Sequence, residues 1–291
     1  MIVRSTLFAA ALWCAAAPAG AADLYAYDAA VPMAPVLGAV RTLEKGVVAQ
    51  DVSFTAPNGH KVSGEIIRGT GKGSHPGLLF VHWLGEPATT NHTEFEPDAI
   101  ALARKGAVSL LIDTMWAAPG WFESVGPDAA KDGKLAEAQV IEMRRALDLL
   151  LAQDGVDAAR IGFVAHDFGA MFGALMANAD LRPKAWVLMA AVPTLAEWYR
   201  LGKAKAAYPD LPGYSAAMAR YDIGAGLRAL SGKALLFQFA TKDYFVPEAK
   251  ALTFIGLAPG PKTAIFYDGD HDLAVPAARR DRDAWLAEHL F

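Results

Sequence analysis

Three apolar runs along the chain each end on a side chain able to take part in chemistry. The first, I-G-F-V-A-H-D-F-G-A, leads through His166 to Asp167, with the small residues Ala165 and Gly169 two places to either side. A sharp strand-to-helix turn needs small neighbours because its central residue is strained and crowded, and it lifts that residue's side chain above the sheet. The second, F-Q-F-A-T-K-D-Y-F-V-P, ends on Asp243, and the third, Y-D-G-D-H-D-L, on His271. A carboxylate presented at such a turn is a nucleophile, an imidazole beyond a later strand is a base, and a further carboxylate can orient that imidazole. Each also has a plainer reading taken singly. Asp167 could be the N-cap of the helix that follows, Asp243 a turn or cap residue, and His271 a solvated loop residue. The order nucleophile, acid, histidine, with a helix between successive strand ends, reads as a triad. Asp270 and Asp272 beside His271 are alternative orienters if Asp243 is misplaced.

A carboxylate attacking an ester forms an anhydride less stable than the substrate, so Asp167 suits attack at a saturated carbon better. That attack leaves an ordinary alkyl ester on Asp167, which water activated by His271 can hydrolyse. The second step passes through a tetrahedral intermediate, for which the backbone N–H groups of Trp83 and Phe168 are the expected donors. Trp83, Trp198 and Tyr199 are candidates to line the substrate pocket. Trp83, in H-W-L-G-E-P, could also donate to a leaving anion. Tyr199, Tyr208, Tyr214 and Tyr221 fall where a cap would be inserted and could protonate a leaving oxygen; taken singly, each reads as packing for a helical excursion. His82 reads as structural and Asp113 as a loop anchor. Neither His82 with Asp113 nor His271 with its acidic neighbours has the tight ligand spacing of a metal site, so no metal and no cofactor is expected.

The elements that must position these residues alternate. Residues 48–54 and 61–67 are β-type stretches around the Asn58-Gly59 turn signal, which predicts an antiparallel hairpin. Then follow an apolar run ending at His82, a helical stretch over about 94–105, and a strand ending at Asp113. A long amphipathic helix over 133–153 comes next, with Leu135, Ala138, Met143, Ala146, Leu147 and Leu150 at helical spacing. Strands at 161–165, 185–191, 234–240 and 263–268 alternate with helices, the first of them over about 168–179. Continuous apolar strands alternating with helices predict a mostly parallel, doubly wound sheet, whose ligands bind beyond the carboxyl ends of the strands.

The first 22 residues carry one cation, Arg4, then an apolar run from Leu7 to Ala17 and small residues around Ala19, Ala21 and Ala22. That layout predicts a secretory signal peptide, and the run is too short and too interrupted by Pro18 for a membrane anchor. It also holds the chain's one cysteine, Cys14. The mature part, from Asp23 as one domain to Phe291, then has no thiol for a disulfide, a nucleophile or a zinc ligand. Losing Arg4 takes the net charge from −4 to −5, which does not favour nucleic acid. An exported protein, periplasmic or secreted, is expected, with no membrane span in its mature part and a small-molecule substrate. The oligomeric state is not legible.

From about Val48 to Leu290 the chain resembles the α/β-hydrolase superfamily. The phrases H-P-G-L-L-F-V-H, D-A-A-R-I-G-F-V-A-H-D-F-G-A and K-D-Y-F-V-P are similar to its dienelactone-hydrolase-like branch. The resemblance implies an α/β-hydrolase fold with a small cap or none, and carboxylic ester hydrolysis by a Ser or Cys nucleophile. Asp167 departs from that pattern, and an aspartate there is similar to epoxide hydrolases and haloalkane or haloacetate dehalogenases. The expectation is a cofactor-free hydrolase with an Asp167, Asp243, His271 triad acting on an epoxide or halide. The alternatives are a carboxylic ester hydrolase and a non-catalytic scaffold that binds a ligand or partner.

Overall fold

A computed structural model describes residues 23–86, 90–124, 126, 128–203 and 212–291. The signal-like leader and Tyr208 lie outside the described residues. Three antiparallel strands open the fold: β1 (Val36–Glu44), β2 (Val47–Thr55) and β3 (Lys61–Gly69). Six parallel strands follow: β4 (His75–Val81), β5 (Val108–Ile112), β6 (Val156–His166), β7 (Ala185–Met189), β8 (Ala234–Ala240) and β9 (Thr263–Tyr267). They form one sheet in the order β1-β2-β3-β5-β4-β6-β7-β8-β9, with β3 antiparallel to β5. The chain steps from β4 to one side for β5 and then to the other for β6, so the strand order reverses between β4 and β6. A crevice for a ligand opens at the carboxyl ends of such strands.

The sheet is parallel because its strands are apolar on both faces. Every residue of β5 and β7 is buried, as are all but the first of β4. Successive side chains point to opposite faces. Leu79, Val81, Leu110, Phe163 and Trp186 pack with the helices α3 (Ala129–Leu151) and α4 (Phe168–Met176). Leu78, Phe80, Leu111, Val164 and Val187 pack with α1 (Glu96–Ala103) and α9 (Pro276–Leu290). The remaining helices are the single turn α2 (Trp121–Ser124), α5 (Leu195–Lys203) and α6 (Pro212–Met218) in the excursion after β7, α7 (Ile223–Ala229), and α8 (Glu248–Leu257). No helix among the described residues is long and apolar enough to cross a membrane.

The predicted hairpin is present, with Thr55 paired to Lys61 and Gly59 at φ 83° in its turn. β1 is an additional strand that pattern reading missed. Nearly all of it is exposed, Val36, Leu37 and Val40 included, so no burial alternation marks it in the sequence. Helix α3 begins four residues before the expected start because the Asp128 carboxylate accepts the N–H groups of Ala130 and Lys131. The helical stretch near 94 opens as a 3₁₀ turn over His92–Phe95, capped by Asn91, before α1 begins at Glu96.

Candidate active site

Asp167 stands between β6 and α4 at φ 53° and ψ −114°, a strained conformation for a residue with a side chain. Two backbone bonds hold it there. Its N–H donates to the carbonyl of Met189 at the end of β7 (2.8 Å), and its carbonyl accepts the N–H of Met171 to begin the helix (2.9 Å). Gly169 is required because a Cβ there would press on the backbone carbonyl oxygens of Val81 and His82 at the end of β4. Asp167 occupies the N-cap position by backbone, yet its carboxylate makes no capping bond. The side chain is free for another role.

Its two oxygens differ. Oδ2 accepts the N–H of Leu84 at 3.1 Å, whereas Oδ1 is buried and has no hydrogen-bond partner among the described residues. Oδ1 lies 3.8 Å from Nε2 of His271, which is likewise buried and unpartnered. On the other side of the ring, Nδ1 bonds the Oδ2 of Asp243 at 2.7 Å. The remaining oxygen of Asp243, Oδ1, accepts the N–H groups of Phe245 and Val246 at 2.8 Å each. The structure thus brings together all three strand-end residues, with Asp243 as the neighbour of His271. Asp272 instead caps the N–H of Ala274.

Burial pushes the His271 imidazole down, but the carboxylates of Asp167 and Asp243 outweigh it and raise it to about 9. Burial would raise Asp243, yet the bonds from His271 and from the Val246 and Phe245 N–H groups hold it below the usual carboxylate range. The imidazole of His271 is enclosed by rings. Trp198 stacks on it (5.6 Å between centroids, 26°), and Phe245 and Trp83 present themselves edge-on at 5.1 and 5.6 Å. The rings exclude water, and the π face of Trp198 favours a cation.

The oxyanion donors need a correction. The N–H of Trp83 donates to the Glu94 carboxylate at 2.8 Å, so it is turned away from Asp167. Leu84, one residue on, supplies the N–H that reaches the carboxylate. The second expected donor, Phe168, is the first residue of α4, where the N–H has no acceptor within its own helix. His82 is structural: Nδ1 bonds the Trp83 carbonyl (2.8 Å) and Nε2 faces the N–H and hydroxyl of Thr114. Burial keeps its imidazole below the ordinary value. Asp113 anchors the loop at His92, accepting both its N–H and its Nδ1–H.

The described tyrosines of the excursion bond or pack elsewhere than on the Asp167 carboxylate. The hydroxyls of Tyr214 and Tyr221 donate to Asp132 and Glu137 on α3, at 2.8 and 2.9 Å. They fasten the excursion to the fold. Tyr199 packs its ring on Phe168 and Trp121, and burial pushes its hydroxyl well above the ordinary value. Beside the Leu84 loop a cleft of about 420 Å³ is lined by Leu84, Gly85, Trp116, Trp121 and Phe122. Pattern reading missed Leu84 and Glu94, because a backbone donor and a carboxylate on a short turn carry no periodic signal. His166 was visible only as a neighbour of Asp167. Among the described residues no group of three or more His, Cys, Asp or Glu stands close enough to hold a metal ion.

No protein-family model and no curated protein sequence matches the chain. Solved structures do. An acetyl xylan esterase from Paenibacillus sp. R4 superposes with a TM-score of 0.68 at 19% identity, over 89% of this chain and 90% of that one. Acetyl xylan esterase 1 from Thermoanaerobacterium sp. JW/SL YS485 gives the same TM-score, 0.68, at 14% identity over 92% and 90% of the two chains. The fold is that of the α/β-hydrolases. A hydrolase of 2,6-dihydroxy-pseudo-oxynicotine is similar over 83% of this chain and 68% of its own, with a TM-score of 0.62 at 17% identity.

Proposed function

We propose that this chain is a cofactor-free, exported hydrolase whose nucleophile is Asp167, whose base is His271 and whose orienting acid is Asp243, acting on a small epoxide or halide. The observation that carries this reading is a pair of buried atoms, Asp167 Oδ1 and His271 Nε2, that have no hydrogen-bond partner among the described residues and face each other at 3.8 Å. Burying a carboxylate oxygen without a hydrogen bond is unfavourable, and such exceptions call for an explanation such as a reacting group to be received there.

In this scheme Oδ1 attacks a saturated carbon and the bond from that carbon to the leaving atom breaks. Oδ2, held by the Leu84 N–H, becomes the carbonyl oxygen of the new ester. Esterification removes the charge of Asp167, one of the two carboxylates that raise His271 to about 9. The imidazolium then releases its proton, to the opened epoxide oxygen or to water when halide departs. The neutral imidazole takes a proton from water as that water adds to the ester carbonyl. The oxyanion forms at Oδ2 between the N–H groups of Leu84 and Phe168. The alcohol leaves with the proton from His271, Asp167 emerges as the neutral acid, and its proton passes to His271 to restore the carboxylate and the imidazolium.

Carboxylic ester hydrolysis is a second reading, favoured by the esterases among similar structures. There Asp167 would take a proton from water rather than attack, since its direct attack would make an anhydride. Incubation with epoxides, haloacids and aryl esters in water enriched in heavy oxygen separates the readings. Label in the Asp167 carboxylate after many turnovers supports the alkyl ester. Turnover of an aryl ester without label supports the second reading and overturns the first. No turnover of any class, with ligand binding retained in Asp167→Ala, supports a binding scaffold.

A further inference from the structure

Two buried histidines flank the reacting centre, and their rings face different partners. His82 meets one acceptor, the Trp83 carbonyl, and one backbone donor, the Thr114 N–H. A neutral ring with its proton on Nδ1 satisfies both. His166 meets two acceptors: a Glu94 carboxylate oxygen 2.7 Å from Nδ1 and the backbone carbonyl of His271 2.9 Å from Nε2. A neutral imidazole has one N–H and cannot serve both.

We infer that His166 is a buried imidazolium which, paired with Glu94, braces the Trp83–Leu84 loop and the His271 loop against the Asp167 turn. The positioning role rests on the reading of His271 as the base; the charge state does not. The brace is a continuous chain of bonds. The Trp83 N–H donates to one oxygen of Glu94, the other oxygen accepts from His166 Nδ1, and His166 Nε2 donates to the carbonyl of His271. Each end is one step from the reacting atoms. Leu84, next to Trp83, holds Asp167 Oδ2; His271 faces Oδ1; and His166 directly precedes Asp167. The ring is fully buried, and a charge in such a place requires a counter-ion, which Glu94 provides. The indole of Trp83 lies flat over the same ring, 5.5 Å away at 21°, the geometry in which a π face stabilises a cation.

The brace depends on a proton. When it leaves, a ring lone pair faces either Glu94 or the His271 carbonyl, and one link becomes repulsive. The groups around it are Glu94 from the 3₁₀ turn, His271 across the crevice at 5.6 Å between ring centres, and Asp167 next in the chain. His82 and Asp98 interact in turn with Glu94. A glutamine at position 94 removes the dependence. Its oxygen can accept from Trp83 while its NH₂ donates to Nδ1 of a neutral His166, whose Nε2–H still reaches His271.

The test uses the full chain labelled with ¹⁵N-histidine, the His166 signals being identified by their loss in His166→Gln. The expected result near neutral pH is two protonated ring nitrogens on His166 and one in Glu94→Gln. A singly protonated His166 in the parent overturns the inference. Hydrogen exchange of the Trp83 amide gives a readout independent of any substrate. Its protection, the exchange rate relative to a free amide at the same pH, should fall about tenfold or more in Glu94→Ala but not in Glu94→Gln; an equal loss of protection in both variants refutes the brace. Once a substrate is known, His166→Gln should lower kcat about 100-fold with KM little moved, as misplacement near a reacting centre does. The conservative Glu94→Gln alone, which keeps the bond chain, should lose far less of the rate than Glu94→Ala. Should heavy-oxygen labelling exclude Asp167 as nucleophile, the ring-protonation and exchange results still decide the brace.

Discussion

Asp243→Asn tests the order of events at Asp167 most directly. Asp243 Oδ1 accepts two N–H groups, from Phe245 and Val246 at 2.8 Å, and Oδ2 accepts one, from His271 at 2.7 Å. Asparagine offers one oxygen for three donors. Turning its NH₂ toward Phe245 and Val246 opposes donor to donor at two N–H groups, the Val246 one buried and costing about 1–3 kcal/mol. The favoured arrangement therefore keeps the oxygen on those two and points NH₂ at His271, whose Nδ1 must then give up its hydrogen. The proton moves to Nε2, the atom that has to accept one from water. Loss of the basic tautomer is expected to slow ester hydrolysis about 10⁴-fold, or roughly 5 kcal/mol. Attack by Asp167 needs no base and should survive. The variant mixed with substrate should thus hold a stoichiometric adduct on the peptide containing Asp167, seen by mass, while multiple-turnover rates collapse. A rate within about tenfold of the parent, or a collapse with no adduct, would refute this reasoning.

Three further outcomes are expected. His271 rises from 6.5 to about 9 on folding, so its contribution of roughly 3 kcal/mol is complete below pH 6.5 and disappears as pH climbs through 9. Urea unfolding at pH 7 and 10 should show that loss in the parent and not in His271→Gln. Gly169→Ala places a Cβ against the backbone oxygens of Val81 and His82, which cannot rotate away, and should destabilise by about 1–3 kcal/mol while displacing Asp167. An unfolding midpoint equal to the parent's would contradict the close approach. Arg282→Met strands the buried carboxylate of Asp98, which Arg282 Nε holds at 2.8 Å, and removes a 2.9 Å bond to Gln238. Breaking such a pair is expected to cost about 3–5 kcal/mol in urea unfolding, much of it restored when Asp98→Leu is added.

What the sequence determined by itself is the set of strand ends. Apolar runs such as G-L-L-F-V and A-W-V-L-M, short and alternating with helical stretches, predict a sheet covered on both faces, and the residue ending each run then stands at one edge of it. That argument reaches Asp167, Asp243 and His271 without coordinates, because period and order are local properties. It fails for β1, whose exposed residues leave no pattern, and for the tyrosines, whose partners Asp132 and Glu137 lie on a helix distant in the chain.

Tertiary structure decided which backbone N–H points where. Trp83 and Leu84 are adjacent, and only the turn of the loop sends one donor to Glu94 and the next to Asp167. It likewise decided the setting of His271, since the two carboxylates and three aromatic rings around it come from four separate segments. A side chain's type follows from sequence alone. Its charge and its partners depend on groups that meet only when the sheet closes, and electrostatic coupling at such distances is a property of space rather than of order along the chain.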